Sequence, residues 1–460
     1  MRNRGRLLEV LYRAETGPII EEKDFEARLI TSTVKELAKK YELKFDKSTI
    51  VPSDDELADR VFQAGLDFAV EVGMFCQDTN RRITWSKAEY LDGLRSCPGE
   101  VVMGTGNDTV KIVARTPESR SAPTVVGGPF GVPVPENLFV PIMLSYAQEP
   151  LIDVIENPTI EKVYGHPIKA DSPWEVIAGW REAELSFETI NRAGRPGMPI
   201  GCIEISPTAL AQISAASWGG IRPSDWHHVS APSEFKTNYD LLSKVAHIVR
   251  IGAHMEAYLN IIYGGYLGGA EGVAIGLAAG LIIVNQNYMG TTISVSSAHP
   301  FLHSDATPES LWAQSLAFQA ISRNSKMLTA SLSKPAAGPG TKTLLYENAA
   351  FIISGVASGL TVPQASMTAT GTNSCHCSGL ESRFGAEIAH AAAGMSRAQA
   401  DEIVKKLLAI YEQDLASKPI GKPFQEVYEL ETLQPTPEWL GTYHEVKNEL
   451  VGMGLSLGQS

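Results

Sequence analysis

The sequence predicts a (β/α)8 barrel, the TIM-barrel form of the α/β class, with helical extensions at both ends. From about residue 98, short apolar runs that end in Gly, Ser or Pro alternate with segments of helical periodicity. Strands that alternate with helices in this way form a parallel sheet. Seven or eight such units in roughly 300 residues favour a closed barrel over an open sheet.

The apolar runs that we interpret as strands lie at residues 101–105, 123–126, 199–205, 260–263, 292–296, 329–333 and 352–356. In a barrel, the ends of these strands gather at one mouth, where barrel enzymes hold their active sites. We expect a single domain over residues 1–460, with a helical extension over 1–95, the barrel over 96–395 and further helices over 396–460. Apolar positions three and four residues apart support helices at 25–41, 54–74 and 398–415.

Composition excludes several classes of function. The net charge of −13 and the absence of a Lys/Arg block argue against nucleic acid as a partner. The longest apolar run, at 272–284, has 13 residues, too few to cross a bilayer, and predicts a buried helix instead. Five widely spaced cysteines and no apolar leader pattern are typical of a cytoplasmic protein, which we expect here.

One predicted strand has an unusual composition. Gly201, Cys202 and Glu204 follow each other in an otherwise apolar run, where a buried strand favours Val or Ile. Taken alone, Gly201 can mark a bulge, Cys202 a small buried side chain and Glu204 a partner of a buried Arg. The alternative is that this strand end lines a site.

The chain resembles the monomethylamine:corrinoid methyltransferases of methanogens. The resemblance rests on VPSDDELADRVFQAGLDF, MGTGNDTV, GGPFGVPVPENLFVPIMLSYA, IIYGGYLGG, AAGPGT, GLESRFGAEIA and GKPFQEVYELETLQPTPEW, which occur in order over nearly the whole chain. It implies a TIM barrel that transfers a methyl group from an amine to a corrinoid, which a separate small corrinoid-binding protein carries. It also implies a homo-oligomer.

The sequence departs from the family at the position of pyrrolysine, the residue that is characteristic of the family. Counting from GRPGM places the family's pyrrolysine position on Gly201, with Cys202 beside it, while a family Glu three residues on is kept as Glu204. The resemblance therefore implies a homologue without pyrrolysine, in which Gly201 and Cys202 line the vacated space. Glu204 becomes a candidate to hold a cationic amine.

Other positions near the implied site also change. Counting from IIYGGY places a family Glu on Tyr258, and counting from PAAGPG places a family Gln on Leu332 and a family Tyr on Lys334, whereas Glu234 matches a family Glu. We expect Glu204, Glu234 and Lys334 to be catalytic and Gly201, Cys202, Tyr258 and Leu332 to bind substrate. Tyr258 as core packing, Lys334 as a surface lysine and Glu234 as a helix cap are the alternatives.

Loss of the electrophilic residue argues against monomethylamine as the methyl donor. A quaternary ammonium leaves as a neutral amine and needs only positioning, whereas other N-methyl compounds need a general acid or a metal. We therefore expect an N-methylated and charged small molecule. Lys334 would suit a substrate with a carboxylate, such as a betaine or an N-methyl amino acid.

Two segments that look like insertions contain potential zinc ligands. SSAHPFLHSD carries His299 and His303, and TVPQASMTATGTNSCHCSG carries Cys375 and Cys377. Imidazole and thiolate are ligands that zinc prefers, so a zinc site is a further prediction, although Cys-x-Cys spacing is not diagnostic. With zinc, a hydrolase or lyase on the same barrel is the alternative activity. A barrel that binds methylamines or the corrinoid protein without catalysis is a third.

Overall fold

Eight parallel strands close into a barrel in chain order, and a helix follows each of them. The computed structural model describes residues 2–201 and 208–457. Within them, the strands are β1 Met74–Cys76, β2 Arg81–Ile83, β3 Glu100–Met103, β4 Val110–Val113, β5 Val126–Gly127, β6 Pro133–Val134, β7 Val154–Glu156, β8 Thr159–Ile160, β9 Lys162–Val163, β10 His166–Pro167, β11 Ile200–Gly201, β12 Trp226–Ala231, β13 Lys236–Thr237, β14 His254–Ile262, β15 Thr292–Ala298, β16 Thr329–Leu332, β17 Val362–Ala365, β18 Tyr428–Glu429 and β19 Gln434–Pro435. The barrel consists of β5, β7, β11, β12, β14, β15, β16 and β17, with β17 pairing back to β5.

The helices form the outer layer and the two extensions. They are α1 Arg2–Thr16, α2 Glu22–Asp24, α3 Thr31–Lys40, α4 Asp55–Val72, α5 Lys87–Arg95, α6 Glu136–Ala147, α7 Pro173–Arg192, α8 Ala209–Ala215, α9 Tyr239–Ile251, α10 Ala270–Tyr288, α11 Pro308–Asn324, α12 Lys342–Ala357, α13 Gly379–Ala391, α14 Arg397–Tyr411, α15 Phe424–Val427 and α16 Pro437–Met453. Helices α6 to α13 each follow one barrel strand, as the (β/α)8 prediction requires. The predicted fold class is therefore confirmed.

Local sequence signals account for several helix boundaries. Asp54 caps α4 by accepting a hydrogen bond from the backbone N–H of Leu57, and Ser86 forms a capping box with Glu89 at the start of α5. Helix α10 contains the long apolar run, and nearly all of its side chains are buried, as expected for a helix packed on every side. No helix in the described part of the chain is long and apolar enough to cross a membrane.

Two of the predicted strands are not barrel strands. The run at 101–105 belongs to β3, which pairs with β4 in an antiparallel hairpin. The run at 352–356 lies inside α12, and the strand that follows it is β17. Short apolar runs of this length occur in hairpins and buried helices as well as in barrel strands. The prediction also missed β7 and β12, which contain charged or imidazole side chains.

The β3–β4 hairpin closes the amino-terminal end of the barrel. Met103 and Ile112 from the hairpin pack in one apolar cluster with Val126, Trp226 and Val362, which begin their strands. The backbone N–H of Gly104 also donates to the carbonyl of Ser224, just before β12. This end of the barrel is therefore sealed by apolar side chains.

Candidate active site

A cavity of about 450 Å³ opens at the carboxyl-terminal mouth of the barrel. This volume is typical of small-molecule sites. Strand residues that line it are Glu156, His228, Ser230, Glu256, Tyr258, Asn260, Ala298, Leu332 and Gln364. Loop residues that line it are Phe130, His299, Pro300, His303, Lys334 and Met367. The cavity lies where barrel enzymes bind their substrates.

Strand alternation explains why β14 contributes so much to the cavity. Successive side chains of a strand point to opposite faces, so residues two apart share one face. Glu256, Tyr258 and Asn260 face the cavity. The apolar residues between them, Ala257 and Leu259, pack outward in the cluster that includes the surrounding helices. On β12, His228 and Ser230 pair in register with Glu256 and Tyr258, which places them beside the same cavity.

The deep part of the cavity holds two carboxyl groups and an imidazole, which we call the Glu–His–Glu cluster (Glu156, His228 and Glu256). One ligand-type atom from each residue lies within 4.8 Å of the others. His228 Nδ1 lies 3.0 Å from Glu256 Oε2, at hydrogen-bonding distance. Gln364 donates from Nε2 to Glu256 Oε1 at 3.0 Å and to Glu156 Oε2 at 3.3 Å. The cluster and Gln364 thus form a connected polar group on four strands.

A second polar group, which we call the Lys334 patch (Lys334, Tyr258, Asn260 and Ser296), lies nearer to the mouth. The Lys334 ammonium donates to Asn260 Oδ1 at 2.8 Å and to the Tyr258 hydroxyl. Ser296 Oγ lies 2.6 Å from the same hydroxyl. The ammonium also lies 5.1 Å from the centre of the Tyr258 ring, within the range of cation–π attraction. These contacts fix a positive charge on the wall of the cavity.

Buried carboxyl groups support the loop that carries Lys334. The backbone N–H of Lys334 donates to Asp305 Oδ2 at 3.0 Å, and burial raises the pKa of Asp305 to about 8. Glu347 accepts from the backbone N–H groups of Ala336 and Ala337, and burial raises its pKa to about 7. Hydrogen bonds from the backbone therefore hold this loop in place behind the cavity wall.

Three of the residues predicted to form the substrate shell line the cavity, namely Tyr258, Leu332 and Lys334. Gly201 lies beside it, because it pairs in register with Glu156, and a Cβ on Gly201 would meet the Glu156 side chain at 3.4 Å. Cys202 and Glu204 fall outside the described residues. The roles predicted for all of these residues stay predictions.

Glu234 lies outside the cavity lining. It is 2% exposed, and its Oε1 accepts from the backbone N–H of Ile262 at 3.0 Å, which ties the segment after β12 to the end of β14. Its other oxygen has no hydrogen-bond partner among the residues that the structure describes, and burial raises the pKa of Glu234 to about 7. The contacts of Glu234 support the strand ends, and the catalytic role predicted for this residue stays a prediction.

The four residues predicted to bind zinc are not brought together. His299 and His303 line the cavity, whereas Cys375 lines a separate surface hollow and Cys377 is fully buried. Burial raises the pKa of both thiols. His299 Nδ1 accepts from the backbone N–H groups of Phe301 and Leu302, so it shapes its own loop. The zinc ligand set inferred from the sequence therefore needs correction.

Sequence reasoning missed the Glu–His–Glu cluster, Asn260 and Gln364. A signal was available in the strands themselves, because VIE, WHHVSA, HMEAYLNII and VPQA place polar residues among the apolar residues of short segments. Within the part of the chain that the structure describes, the cluster is the one group of three or more His, Cys, Asp or Glu residues with metal-binding geometry. Its members come from three strands that are far apart in the sequence.

A closed (β/α)8 barrel with a polar cavity at its carboxyl-terminal mouth has the architecture of an enzyme. Comparison with known proteins defines the class further. The family described as monomethylamine methyltransferase MtmB matches residues 6–455. Monomethylamine methyltransferase MtmB2 of Methanosarcina acetivorans is 34% identical over 452 residues, which cover 96% of each chain. MtmB1 of Methanosarcina barkeri is 33% identical over 449 residues, again 96% of each chain.

Solved structures agree with the sequence comparison. The crystal structure of Methanosarcina barkeri monomethylamine methyltransferase MtmB matches with a TM-score of 0.95 and 32% identity, over 98% of both chains. The structure of the hydroxylamine complex of MtmB matches with the same values. The chain belongs to the monomethylamine methyltransferase family, and the protein is a methyltransferase. The family resemblance inferred from the sequence motifs is confirmed.

Proposed function

We propose that the protein transfers a methyl group from an N-methylated small molecule, which also carries a carboxylate, to the corrinoid of a separate small protein. Family membership supports methyl transfer over the hydrolase or lyase alternative. The relatives are named for monomethylamine. The donor proposed here differs from monomethylamine because it also carries a negatively charged carboxylate.

The observation that carries this proposal is the pairing of opposite charges in one cavity. The Glu–His–Glu cluster supplies negative charge in the deep part, and the Lys334 patch supplies positive charge near the mouth. Tyr258 lies between them, with its ring 5.8 Å from the His228 ring and 5.1 Å from the Lys334 ammonium. A small molecule with a nitrogen at one end and a carboxylate at the other satisfies both groups at once.

The residues of the chain act by binding and orientation in this reaction. Lys334 pairs with the substrate carboxylate, and the carboxylates of Glu156 and Glu256 face the nitrogen end. Two-point binding fixes the direction of the methyl group, which removes the orientational entropy cost of a reaction between two molecules. A reduced corrinoid, delivered by the partner protein at the open mouth, supplies the electron pair that accepts the methyl group.

The proposal includes a reaction that does not use pyrrolysine. The count that places the family's pyrrolysine position on Gly201 supports it, and Gly201 pairs in register with Glu156 of the cavity wall. A betaine needs only positioning, because its nitrogen leaves as a neutral amine. An N-methyl amino acid also needs a proton or a Lewis acid on nitrogen. A homo-oligomeric assembly remains part of the proposal through the family resemblance alone.

The test is a substrate panel with the full chain and a reduced corrinoid, followed through the absorbance of the methylated corrinoid. The panel contains monomethylamine, trimethylamine, N-methylglycine, N,N-dimethylglycine and glycine betaine. We expect turnover with a carboxylate-bearing compound. Lys334→Gln should then raise KM for that compound by about 10- to 100-fold, the value of a charge-assisted hydrogen bond, with a smaller effect on amines that lack the carboxylate.

Lys111→Gln is the matched control, because Lys111 is an exposed lysine of the β3–β4 hairpin at the opposite end of the barrel. It should leave KM unchanged. Preference for monomethylamine over every carboxylate-bearing compound would disprove the proposed substrate class. So would an unchanged KM in Lys334→Gln for a donor that carries a carboxylate.

A further inference from the structure

We propose that Glu156, His228 and Glu256 bind one divalent transition-metal ion, of the Zn²⁺ type, in the deep part of the cavity. This site is separate from the set of His299, His303, Cys375 and Cys377 that the sequence suggested. The existence of the ion site rests on geometry alone. Its role in the reaction rests on the proposed function.

The first argument is the chemical nature and spacing of the donor atoms. One imidazole and two carboxylates form a mixed N/O ligand set of the kind that catalytic zinc sites use. Zinc binds nitrogen and oxygen at about 2.0–2.2 Å, which places two tetrahedral ligand atoms roughly 3.5 Å apart. The three donor atoms already lie within 4.8 Å of one another, and the His228 Nδ1 to Glu256 Oε2 distance is 3.0 Å. Small side-chain rotations therefore suffice to surround one ion.

The second argument is the burial of the carboxyl groups. Glu156 is 3% exposed and Glu256 is 2% exposed, so both carboxyl groups are nearly removed from water. Exposed acidic groups commonly hold no ion, whereas the two carboxyl groups of this cluster are buried beside an imidazole.

The third argument is the support that Gln364 gives to the two carboxylates. Its amide nitrogen donates to one oxygen of each, at 3.3 Å to Glu156 and 3.0 Å to Glu256. Its own oxygen accepts from Ser294 Oγ at 3.3 Å, which fixes the orientation of the amide. Metal-binding carboxylates are commonly oriented by such hydrogen bonds. Gln364 thus holds two ligands from different strands in fixed directions.

Three protein ligands leave coordination positions open toward the cavity, as in catalytic rather than structural metal sites. The cavity that the three residues line also contains Lys334 in its wall. An N-methyl amino acid could place its nitrogen lone pair on the ion and its carboxylate on Lys334. On transfer, the C–N bond breaks, its electron pair stays on nitrogen, the methyl group goes to the corrinoid, and the nitrogen takes a proton from water. The ion would stabilise the leaving nitrogen as a Lewis acid.

The test measures the ion without any reaction. The full chain is stripped with a chelator, desalted and titrated with Zn²⁺ by calorimetry, and then with Co²⁺, whose visible absorption reports its ligand geometry. We expect one ion per chain. Glu256→Gln and His228→Gln should each weaken binding by about 100-fold or more, and Gln364→Ala by about 10-fold, because outer hydrogen bonds contribute less than ligands.

His303→Asn is the matched control within the same cavity. Asn tolerates the positive φ of 56° at this position, and the variant should retain the ion with unchanged affinity. Circular dichroism and the thermal unfolding midpoint confirm that each variant is folded. The midpoint of the wild type should rise with added Zn²⁺, whereas that of Glu256→Gln should not.

The proposal fails if the folded wild type binds neither ion, or if binding survives in both ligand variants. Its failure is distinguishable from failure of the proposed function. If the protein transfers methyl groups but binds no ion, the metal site is disproved and the proposed function stands. If the protein binds an ion but methylates the corrinoid with no donor, the metal site stands and the proposed function is disproved.

Discussion

The two ends of the barrel differ sharply although the same strands build both. On β7, β12 and β17, an apolar residue at the amino-terminal end is followed two positions later, on the same face, by a polar residue that lines the cavity. The pairs are Val154 and Glu156, Trp226 and His228, and Val362 and Gln364. On each of these strands, two positions therefore separate the apolar seal from the charged cavity.

This contrast shows how the molecule divides stability and chemistry. The apolar layer and the β3–β4 hairpin remove apolar side chains from water, and this burial increases the free energy of unfolding. The polar layer buries carboxyl groups, which oppose folding unless they are paired. Barrel enzymes commonly place function at the carboxyl-terminal mouth and stability at the other end. Variants at each end should therefore affect different properties.

The largest effect should follow from Trp226→Ala in the apolar layer. Trp226 is 1% exposed, and its indole N–H donates to Thr292 Oγ1 at 2.6 Å. Truncation leaves a large cavity and should lower the free energy of unfolding by about 3–5 kcal/mol, measured by urea denaturation. Trp226→Phe, which keeps most of the volume, should cost clearly less. Equal losses in the two variants would contradict a packing role.

The next effect should be a pH-dependent gain of stability in Glu234→Gln. Glu234 lies at the carboxyl-terminal end, where burial, with a smaller contribution from Glu26, raises its pKa from 4.5 to about 7. The hydrogen bond from Ile262 and, less strongly, the charge of Lys236 oppose this shift. Because the folded state holds this proton more tightly than the unfolded state, the free energy of unfolding falls as pH rises from about 4.5 to 7. Gln keeps the acceptor for Ile262 and avoids the buried charge.

We expect the variant to match the wild type near pH 4.5 and to exceed it by up to about 3 kcal/mol at pH 8. Denaturant unfolding at a series of pH values measures this difference. Asp305 and Glu347 have raised pKa values and titrate in both proteins, so only the difference between the two profiles isolates Glu234. Parallel profiles would show that Glu234 does not titrate in this range.

A comparable effect, on activity instead of stability, should follow from Glu256→Gln in the polar layer. The substitution removes one negative charge that faces the substrate nitrogen and the imidazole of His228. The rate of methyl transfer should fall about 100-fold, or ~2.7 kcal/mol, while the free energy of unfolding changes by less than ~1 kcal/mol or rises. A large loss of stability with an unchanged rate per folded molecule would mean that Glu256 contributes to stability and not to catalysis, contrary to the role assigned to the polar layer.

The alternation of apolar runs with helical periodicity was enough to predict the barrel, but not to identify every strand. Runs 101–105 and 352–356 have the same local character as barrel strands, yet one forms a hairpin and the other part of α12. Strands β7 and β12 were missed because Glu156 and His228 interrupt their apolar pattern. The side chains that define the cavity thus obscure the strands that carry them.

The site was predicted only where the family resemblance supplied positions. Tyr258, Leu332 and Lys334 line the cavity as expected. The Glu–His–Glu cluster was missed because its three members meet through barrel closure and strand register, which no local spacing in the sequence reveals. Zinc was instead assigned to His299, His303, Cys375 and Cys377 from residue type. The two histidines line the cavity, whereas Cys375 lines a separate surface pocket and Cys377 is fully buried.

The smallest effect should come from the surface of the sealed end. Lys111 pairs with Glu100 across the β3–β4 hairpin at 2.8 Å, and both side chains are more than half exposed. Exposed ion pairs gain little because water and salt screen them and two long side chains lose freedom. Lys111→Gln should therefore change the free energy of unfolding by no more than ~0.5 kcal/mol and leave methyl transfer unchanged. A loss of more than ~1.5 kcal/mol in the free energy of unfolding would mean that the surface ion pair, and not the apolar packing beneath it, keeps the hairpin on the amino-terminal end of the barrel.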